Sequence, residues 1–195
     1  MKQVFYNIYK NNLWGSSESI SGPGSELNQT INIRLEIPEL IKKFKIKSIL
    51  DLPCGDYNWM KEINIHNCSY IGADIVDEII DKNKIKYPNI DFRNLDLAND
   101  DLPKSDLIIT RDCFGHFSFK NVLQSLKNLK RSGSKYLLST CWPRASQNTD
   151  IVDGDWYPIN MMMSPFNLIP IYMICENVHY TDKSLFLFEI DKINL

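Results

Sequence analysis

Lys47-Ser-Ile-Leu-Asp-Leu-Pro-Cys-Gly-Asp-Tyr-Asn-Trp59 decides the fold of this chain. Ile49, Leu50 and Leu52 form a short apolar run of the kind a buried parallel strand uses. The run takes in an acid, Asp51, then reaches a tight turn around Pro53 and Gly55 and a weak helical start at Trp59-Met60. Strand, turn and helix opening make the first unit of a doubly wound sheet, whose ligands sit beyond the carboxyl ends of the strands. A turn that closes on a pyrophosphate wants three glycines. This one has a single glycine and carries Asp56, which repels a phosphate. Acids at Asp51 and Asp56 suit a ligand bearing positive charge.

The alternation continues downstream. Tyr70-Ile-Gly-Ala-Asp74-Ile75 reads as strand two, residues 76–87 as a helix stopped by Pro88, and residues 90–97 as strand three with Asp96 near its end. Leu107 to Thr110 is strand four, running into Arg111-Asp-Cys-Phe-Gly-His116. Ser118 is a good helix cap, and Phe119, Val122, Leu126 and Leu129 keep an apolar stripe until Ser132-Gly133. Residues 136–140 form strand five, and residues 169–175 and 185–190 are two last strands close enough to pair antiparallel. The pattern predicts an α/β fold, a doubly wound seven-stranded mostly parallel sheet with a terminal antiparallel hairpin.

Upstream, Leu27, Ile31, Leu35, Leu40, Ile41 and Phe44 lie at helical spacing, with Ser25 placed to cap the helix. Pro38 either kinks that helix or starts a second one. Residues 14–25 read either as a flexible leader or as a shaped turn, since Trp14 is costly to expose and Gly22-Pro23-Gly24 is turn-forming. From Trp142 to Asn167 the regular pattern stops, and a segment of that length is a lid or binding loop. Its Met161-Met-Met163 run suits apolar packing of the lid on the core.

A chain of 195 residues with 44% hydrophobic and 24% charged content fits one globular domain. The net charge is −2, and the lysines at 42, 43, 45 and 47 alternate with Phe44 and Ile46 as a solvated face does, which argues against a nucleic-acid surface. Five cysteines without Cys-x-x-Cys spacing read as reduced thiols of a cytoplasmic protein, and no residue cluster has metal-ligand spacing. No apolar run is long enough for a signal peptide or membrane insertion.

Three acids, Asp51, Asp74 and Asp96, end three successive strands, and those ends converge on one crevice. An acid placed as Asp74 is can accept both hydroxyls of a ribose. S-adenosylmethionine joins a ribose to an ammonium and a sulfonium, which matches this charge. The run Asp-x-Pro-Cys-Gly-Asp resembles motif I (Asp/Glu-x-Gly-x-Gly) of class I methyltransferases, with Pro53 and Tyr57 at two of its glycine positions. More narrowly, Trp-Gly-Ser-Ser-Glu-Ser…Ser-Gly-Pro-Gly-Ser, Asp-Leu-Pro-Cys-Gly-Asp-Tyr-Asn-Trp-Met, Tyr-Ile-Gly-Ala-Asp-Ile and Arg-Asp-Cys-Phe-Gly-His-Phe are similar to a small bacterial subfamily. It includes methyltransferases of capsule O-methyl phosphoramidate biosynthesis.

The resemblance implies an S-adenosylmethionine-dependent O-methyltransferase that releases S-adenosylhomocysteine and uses no metal. It implies one domain: an N-terminal cap and helix (1–45), a cofactor-binding core (46–142), an acceptor lid (143–168) and a final hairpin (169–195). Cofactor contacts fall to Asp51, Pro53, Gly55, Asp56 and Trp59, then to Asp74, Ile75, Asp96, Leu97 and Arg111. His116 and Asp112 come to lie near the transferred methyl, though a lone histidine is more often structural. The implied acceptor is a small anionic molecule, a phosphoramidate or nucleotide-linked intermediate of capsular polysaccharide synthesis. Arg34, Arg144 and Lys183 are then available to hold its phosphate, while Trp14, Ser19, Asp155 and Trp156 close the pocket.

Two other readings stand beside this one, a sugar-hydroxyl O-methyltransferase of surface glycans and a non-catalytic S-adenosylmethionine-binding subunit. A nucleic-acid amino-methyltransferase is disfavoured because Asp112-Cys-Phe-Gly115 lacks the Pro-Pro-aromatic run such enzymes carry after strand four. The glycine-poor turn disfavours a nicotinamide dehydrogenase.

Overall fold

The computed structural model describes residues 1–65, 67–176 and 182–194. Its strands are β1 (Ser48–Asp51), β2 (Ser69–Asp74), β3 (Asp91–Asn94), β4 (Leu107–Thr110), β5 (Tyr136–Cys141), β6 (Pro170–Cys175) and β7 (Ser184–Glu189). They form one sheet in the order β3-β2-β1-β4-β5-β7-β6. The first five are parallel, with Leu50 of β1 opposite Ile71 and Ile108, and β7 runs antiparallel to both β5 and β6. The expected seven-stranded sheet with an antiparallel end is therefore present. Strand order reverses between β1 and β4, so the loops leaving these two strands part and open a crevice.

Side-chain alternation divides the apolar residues between two layers. Leu50, Ile108, Leu137, Phe186 and Phe188 face one layer, where helices α1 (Lys2–Lys10) and α4 (Phe119–Arg131) contribute Phe5, Ile8, Val122 and Leu126. Ile49, Leu107, Ile109, Leu138 and Leu185 face the other, covered by Ile33, Ile37, Leu40 and Ile41 of α2 (Ile31–Phe44). Helix α3 (Asp77–Lys86) stands at the margin, giving Ile79 to the first layer and Ile80 to the second.

Four local expectations need correction. Helix α2 begins at Ile31, not near Leu27, and passes through Pro38. Ser25 ends a 3₁₀ turn (Pro23–Ser25) and caps no α-helix. After β1 the chain makes only a 3₁₀ turn (Met60–Glu62), because Trp59 and Met60 are drawn into the second layer. Strand β3 stops at Asn94, and the Asp96 side chain bonds its own loop, accepting from the Ala98 N–H. Ser118 does cap α4, accepting from the Asn121 N–H.

Helix α1 was not anticipated, though Phe5, Ile8 and Tyr9 lie at its buried spacing. Apolar burial worth about 1.5–3 kcal/mol per large side chain holds it down. Its exposed ion pair Lys2–Asp77 (2.7 Å) belongs to a class worth only about 0–1 kcal/mol.

Leu50 is fully buried between β2 and β4. Leu50→Ala is expected to destabilise the fold by about 2–5 kcal/mol, measured as a lowered urea midpoint with an unchanged transition slope.

Candidate active site

The crevice at the strand ends is a cavity of about 880 Å³ out to its open mouth. Its floor is made by the loops after four parallel strands: Leu52–Gly55 after β1, Asp74–Val76 after β2, Leu97 after β3, and Arg111–Cys113 after β4. Met1 and, from α1, Phe5 and Tyr9 roof it together with Trp14, Ser21 and Ser25 of the leader. The shaped-turn reading of residues 14–25 thus describes the structure, and the flexible-leader reading does not.

Gly55 is the tightest point. Its φ is +53°, and a Cβ there would lie 1.9 Å from Ser21 Oγ, so both backbone conformation and space demand glycine. The Gly55 N–H donates to Asp74 Oδ2 (3.2 Å), the Val76 N–H donates to Asp74 Oδ1 (3.0 Å), and Asn83 Nδ2 donates to the Gly55 carbonyl (2.7 Å). Asp74 lines the cavity and faces no cation among the described residues. Burial lifts its pKa to about 6, and the backbone donors of Val76, Gly55 and Ile75 offset this only in part.

Asp51 is also buried, but on the α2 side of the sheet, where the Tyr70 hydroxyl donates to Oδ2 (2.8 Å) and Oδ1 has no partner among the described residues. Burial, with Asp74 adding to it, pushes Asp51 up to about 7. The expected direct contact of Asp51 with a ligand is not supported, because the one-residue step from Leu52 turns its side chain away from the cavity.

Beyond β4 the charges are paired. Arg111 Nη2 donates to Glu176 Oε2 (2.7 Å) and to the Gly24 carbonyl (2.7 Å), and its guanidinium lies over the Trp59 ring. Burial works against the charge of Arg111, but Glu176 and Asp112 outweigh it and hold the guanidinium protonated. Lys183 Nζ bridges Asp112 Oδ2 (2.5 Å) and Glu176 Oε2 (3.1 Å). Asp112 has φ +48°, and its N–H donates to Thr140 Oγ1 (2.8 Å). Burial raises the Asp112 pKa, yet Lys183 and Arg111 outweigh it and keep the carboxyl well below its ordinary value.

His116 closes one end of the cavity, with the Trp14 ring 5.4 Å from its own. Its Nδ1 lies 2.8 Å from the Asp155 carbonyl. A carbonyl only accepts, so Nδ1 carries the proton and the neutral ring keeps its lone pair on Nε2. Burial depresses the His116 pKa below 6.5, which leaves the ring uncharged at neutral pH.

The anticipated residues divide clearly. Pro53, Gly55, Trp59, Asp74 and Ile75 line the cavity, as do Leu97, Arg111, Asp112, His116 and Trp14. Asp56 instead anchors the leader, accepting from Ser19 Oγ (2.8 Å) and the Ile20 N–H (3.1 Å), which removes both Asp56 and Ser19 from the site. Arg34 donates to the Leu27 carbonyl (2.8 Å) and lies outside the cavity wall, while Lys183 is engaged by two carboxylates. Arg144, Asp155 and Trp156 are exposed outside the cavity wall, Asp155 reaching it only through its carbonyl. Asp96 also lies outside the wall.

Glu176 was not anticipated, although an acid just after β6 and a lysine just before β7 mark a pair facing each other across the hairpin. Among the described residues, no three His, Cys, Asp or Glu side chains gather as a metal site would require.

No protein-family model matches the sequence, and none of the curated proteins compared with it does. Solved structures do resemble the fold. Magnesium protoporphyrin IX methyltransferase from Synechocystis PCC 6803, with bound S-adenosylmethionine, aligns over 96% of this chain and 96% of its own at 11% identity and a TM-score of 0.62. A S-adenosylmethionine-dependent methyltransferase from Clostridium acetobutylicum aligns over 84% and 92% at 13% identity and a TM-score of 0.58. Human N-acetylserotonin methyltransferase, also with S-adenosylmethionine, aligns over 94% and 66% at 15% identity and a TM-score of 0.58. The fold is accordingly the Rossmann-like methyltransferase fold.

The two raised carboxyls make a pH signature. Both bind protons more tightly folded than unfolded, so their contribution to stability is full below pH ~4 and is lost as pH rises through 6 and 7. Asp51→Asn keeps an acceptor for Tyr70 and removes one ionisation. Urea unfolding between pH 5 and 8 is expected to show wild-type stability falling with pH and a clearly flatter profile in Asp51→Asn.

Proposed function

We propose that this chain is an S-adenosylmethionine-dependent O-methyltransferase whose acceptor is a small-molecule hydroxyl. The single observation that carries the reading is one cavity lined both by the buried Asp74 carboxyl and by the oriented imidazole of His116. The residues fit the cofactor: the Asp74 carboxylate can accept ribose hydroxyls, and Ile75 and Leu97 supply apolar walls for a purine. The Gly55 turn lets the backbone approach closely, and an acidic cavity suits a cationic ligand. When bound, the cofactor supplies a methyl group on a sulfonium and leaves as S-adenosylhomocysteine.

The chain's own task is then to hold the acceptor oxygen, take its proton and exclude water. His116 Nε2 takes the proton, with Nδ1–H held by the Asp155 carbonyl. Asp112, lining the same cavity, stabilises the imidazolium that results. Roofing by Phe5, Tyr9 and Trp14 keeps water out.

The acceptor follows from where the cations are spent. An anionic acceptor needs a free one, while Arg111 and Lys183 are paired with carboxylates and Arg34 lies outside the cavity wall. A hydroxyl needs a base, and His116 is set up as one. This favours the sugar-hydroxyl reading over the phosphoramidate or nucleotide-linked one. The capsule phosphoramidate acceptor is a second reading, supported by the motif resemblance and by Arg144, whose guanidinium makes no ion pair among the described residues. In either case residues 143–168 act as the acceptor lid.

Asp74→Ala is expected to weaken S-adenosylhomocysteine binding by about 1.5–3 kcal/mol, read by calorimetry on a folded variant. Unchanged affinity would overturn the cofactor assignment. His116→Gln is expected to lower kcat by about 10²–10⁴-fold and to abolish an acidic limb lying below pH 6.5 in the wild-type rate profile. A rate independent of His116, with a strong loss in Arg144→Ala, would instead favour the anionic acceptor.

A further inference from the structure

Trp156 is 55% exposed, the wrong place for a large aromatic ring unless something covers it. Its backbone is not loose. The Gly154 N–H donates to the His116 carbonyl (2.8 Å), the Tyr157 N–H donates to the Gly115 carbonyl (3.0 Å), and the Asp155 carbonyl takes the His116 ring proton (2.8 Å). Three bonds thus fasten residues 154–157 to the turn that carries His116. Gly115 permits this closeness, since a Cβ there would meet the Tyr157 carbonyl at 2.9 Å and come within 3.8 Å of Trp156 Nε1. Trp142, directly after β5, meets Trp156 edge-on, with ring centroids 5.7 Å apart and planes at 83°.

From this geometry we infer that Trp156 and Trp142 form a rigid aromatic corner, beside the His116 end of the cavity, that binds the apolar face of a saccharide ring. The inference rests on the methyltransferase reading for its purpose, and it names the acceptor as a glycan or glycoside. A nucleobase is flat on both sides and wants a slot between parallel rings, whereas perpendicular rings leave one face and one wall. The ring hydrogens of a pyranose are slightly positive and meet the negative face of an indole, the same complementarity that orders aromatic pairs. Hydroxyls at the rim of the sugar are served by the exposed Asp155 carboxylate, next in the chain. A neutral ring also agrees with a site whose inner cations are already paired. Fastened to the His116 turn by its own backbone, the corner sets the distance between the stacked ring and the base, and so selects which hydroxyl is reached.

Saturation-transfer NMR on the full chain tests this directly. The probes are millimolar methyl α- and β-glycosides of glucose, galactose, mannose, N-acetylglucosamine and N-acetylgalactosamine, with adenosine as the nucleobase control, each with and without S-adenosylhomocysteine. At least one glycoside is expected to receive saturation on one face of its ring. Trp156→Ala should weaken that glycoside about tenfold, Trp156→Phe should retain part of the affinity, and circular dichroism should show both variants folded. S-adenosylhomocysteine affinity should be equal in wild type and variants. No glycoside contact in the wild type, contact unchanged in Trp156→Ala, or Trp156-dependent binding of adenosine alone overturns the inference. Trp156-dependent glycoside binding by a chain that fails to bind S-adenosylhomocysteine supports the corner and defeats the methyltransferase reading, so the two failures are distinct.

Discussion

Everything at the mouth of the sheet depends on the closeness of Gly55 to two other parts of the chain. One side of this glycine faces Ser21 of the leader with no room for a methyl group, and its N–H reaches the Asp74 carboxylate at the end of β2. A side chain at position 55 would force the leader outward and open the roof. It would also pull the β1 turn from Asp74, leaving a buried carboxylate with one fewer donor, a loss on the order of 1–3 kcal/mol. The turn, the acid and the roof therefore stand or fall together.

The charges obey a division of labour. On the β4 side, Arg111, Lys183, Asp112 and Glu176 neutralise one another within about hydrogen-bond distance, and Arg111 also fixes the leader through the Gly24 carbonyl. Such a buried cluster contributes little net stability when complete. Removal of one member is costly, typically about 3–5 kcal/mol, because it strands a charge. On the β1–β2 side, burial raises the pKa values of both Asp51 and Asp74; Arg111 offsets this in part at Asp51, while Asp74 has backbone donors and no cation among the described residues. Arg111 and Lys183 are thus spent on holding the site together, while Asp74 faces the cavity.

This arrangement bears on the anionic-acceptor expectation for physical reasons. Arginine and lysine read identically in a sequence whether they meet a ligand or a carbonyl of their own chain. Arg34 meets the Leu27 carbonyl, and Lys183 meets two carboxylates. A third cation, Arg144, stays exposed two residues after Trp142. The choice between acceptors thus turns on tertiary partners.

Much of the architecture was legible in the chain itself. Apolar runs ending in Asp51 and Asp74, the Gly55 turn, the Ser118 cap and the late strand pair encode the doubly wound sheet, because strand and helix periodicities are local. The residues that line the strand ends, Gly55, Asp74, Arg111 and His116 among them, were legible for the same reason: topology alone brings those ends together. Side-chain direction and partners were not. Asp51 turned away because a strand reverses its faces at every residue, Asp56 was taken by the leader, and Glu176 reached Arg111 from 65 residues away. Helix α1 became a roof through long-range apolar contact with Phe117. Local propensity decided which elements form and in what order; packing across the sheet decided which charges are consumed and which remain for a ligand, since pairing depends on distances in space that sequence separation does not fix.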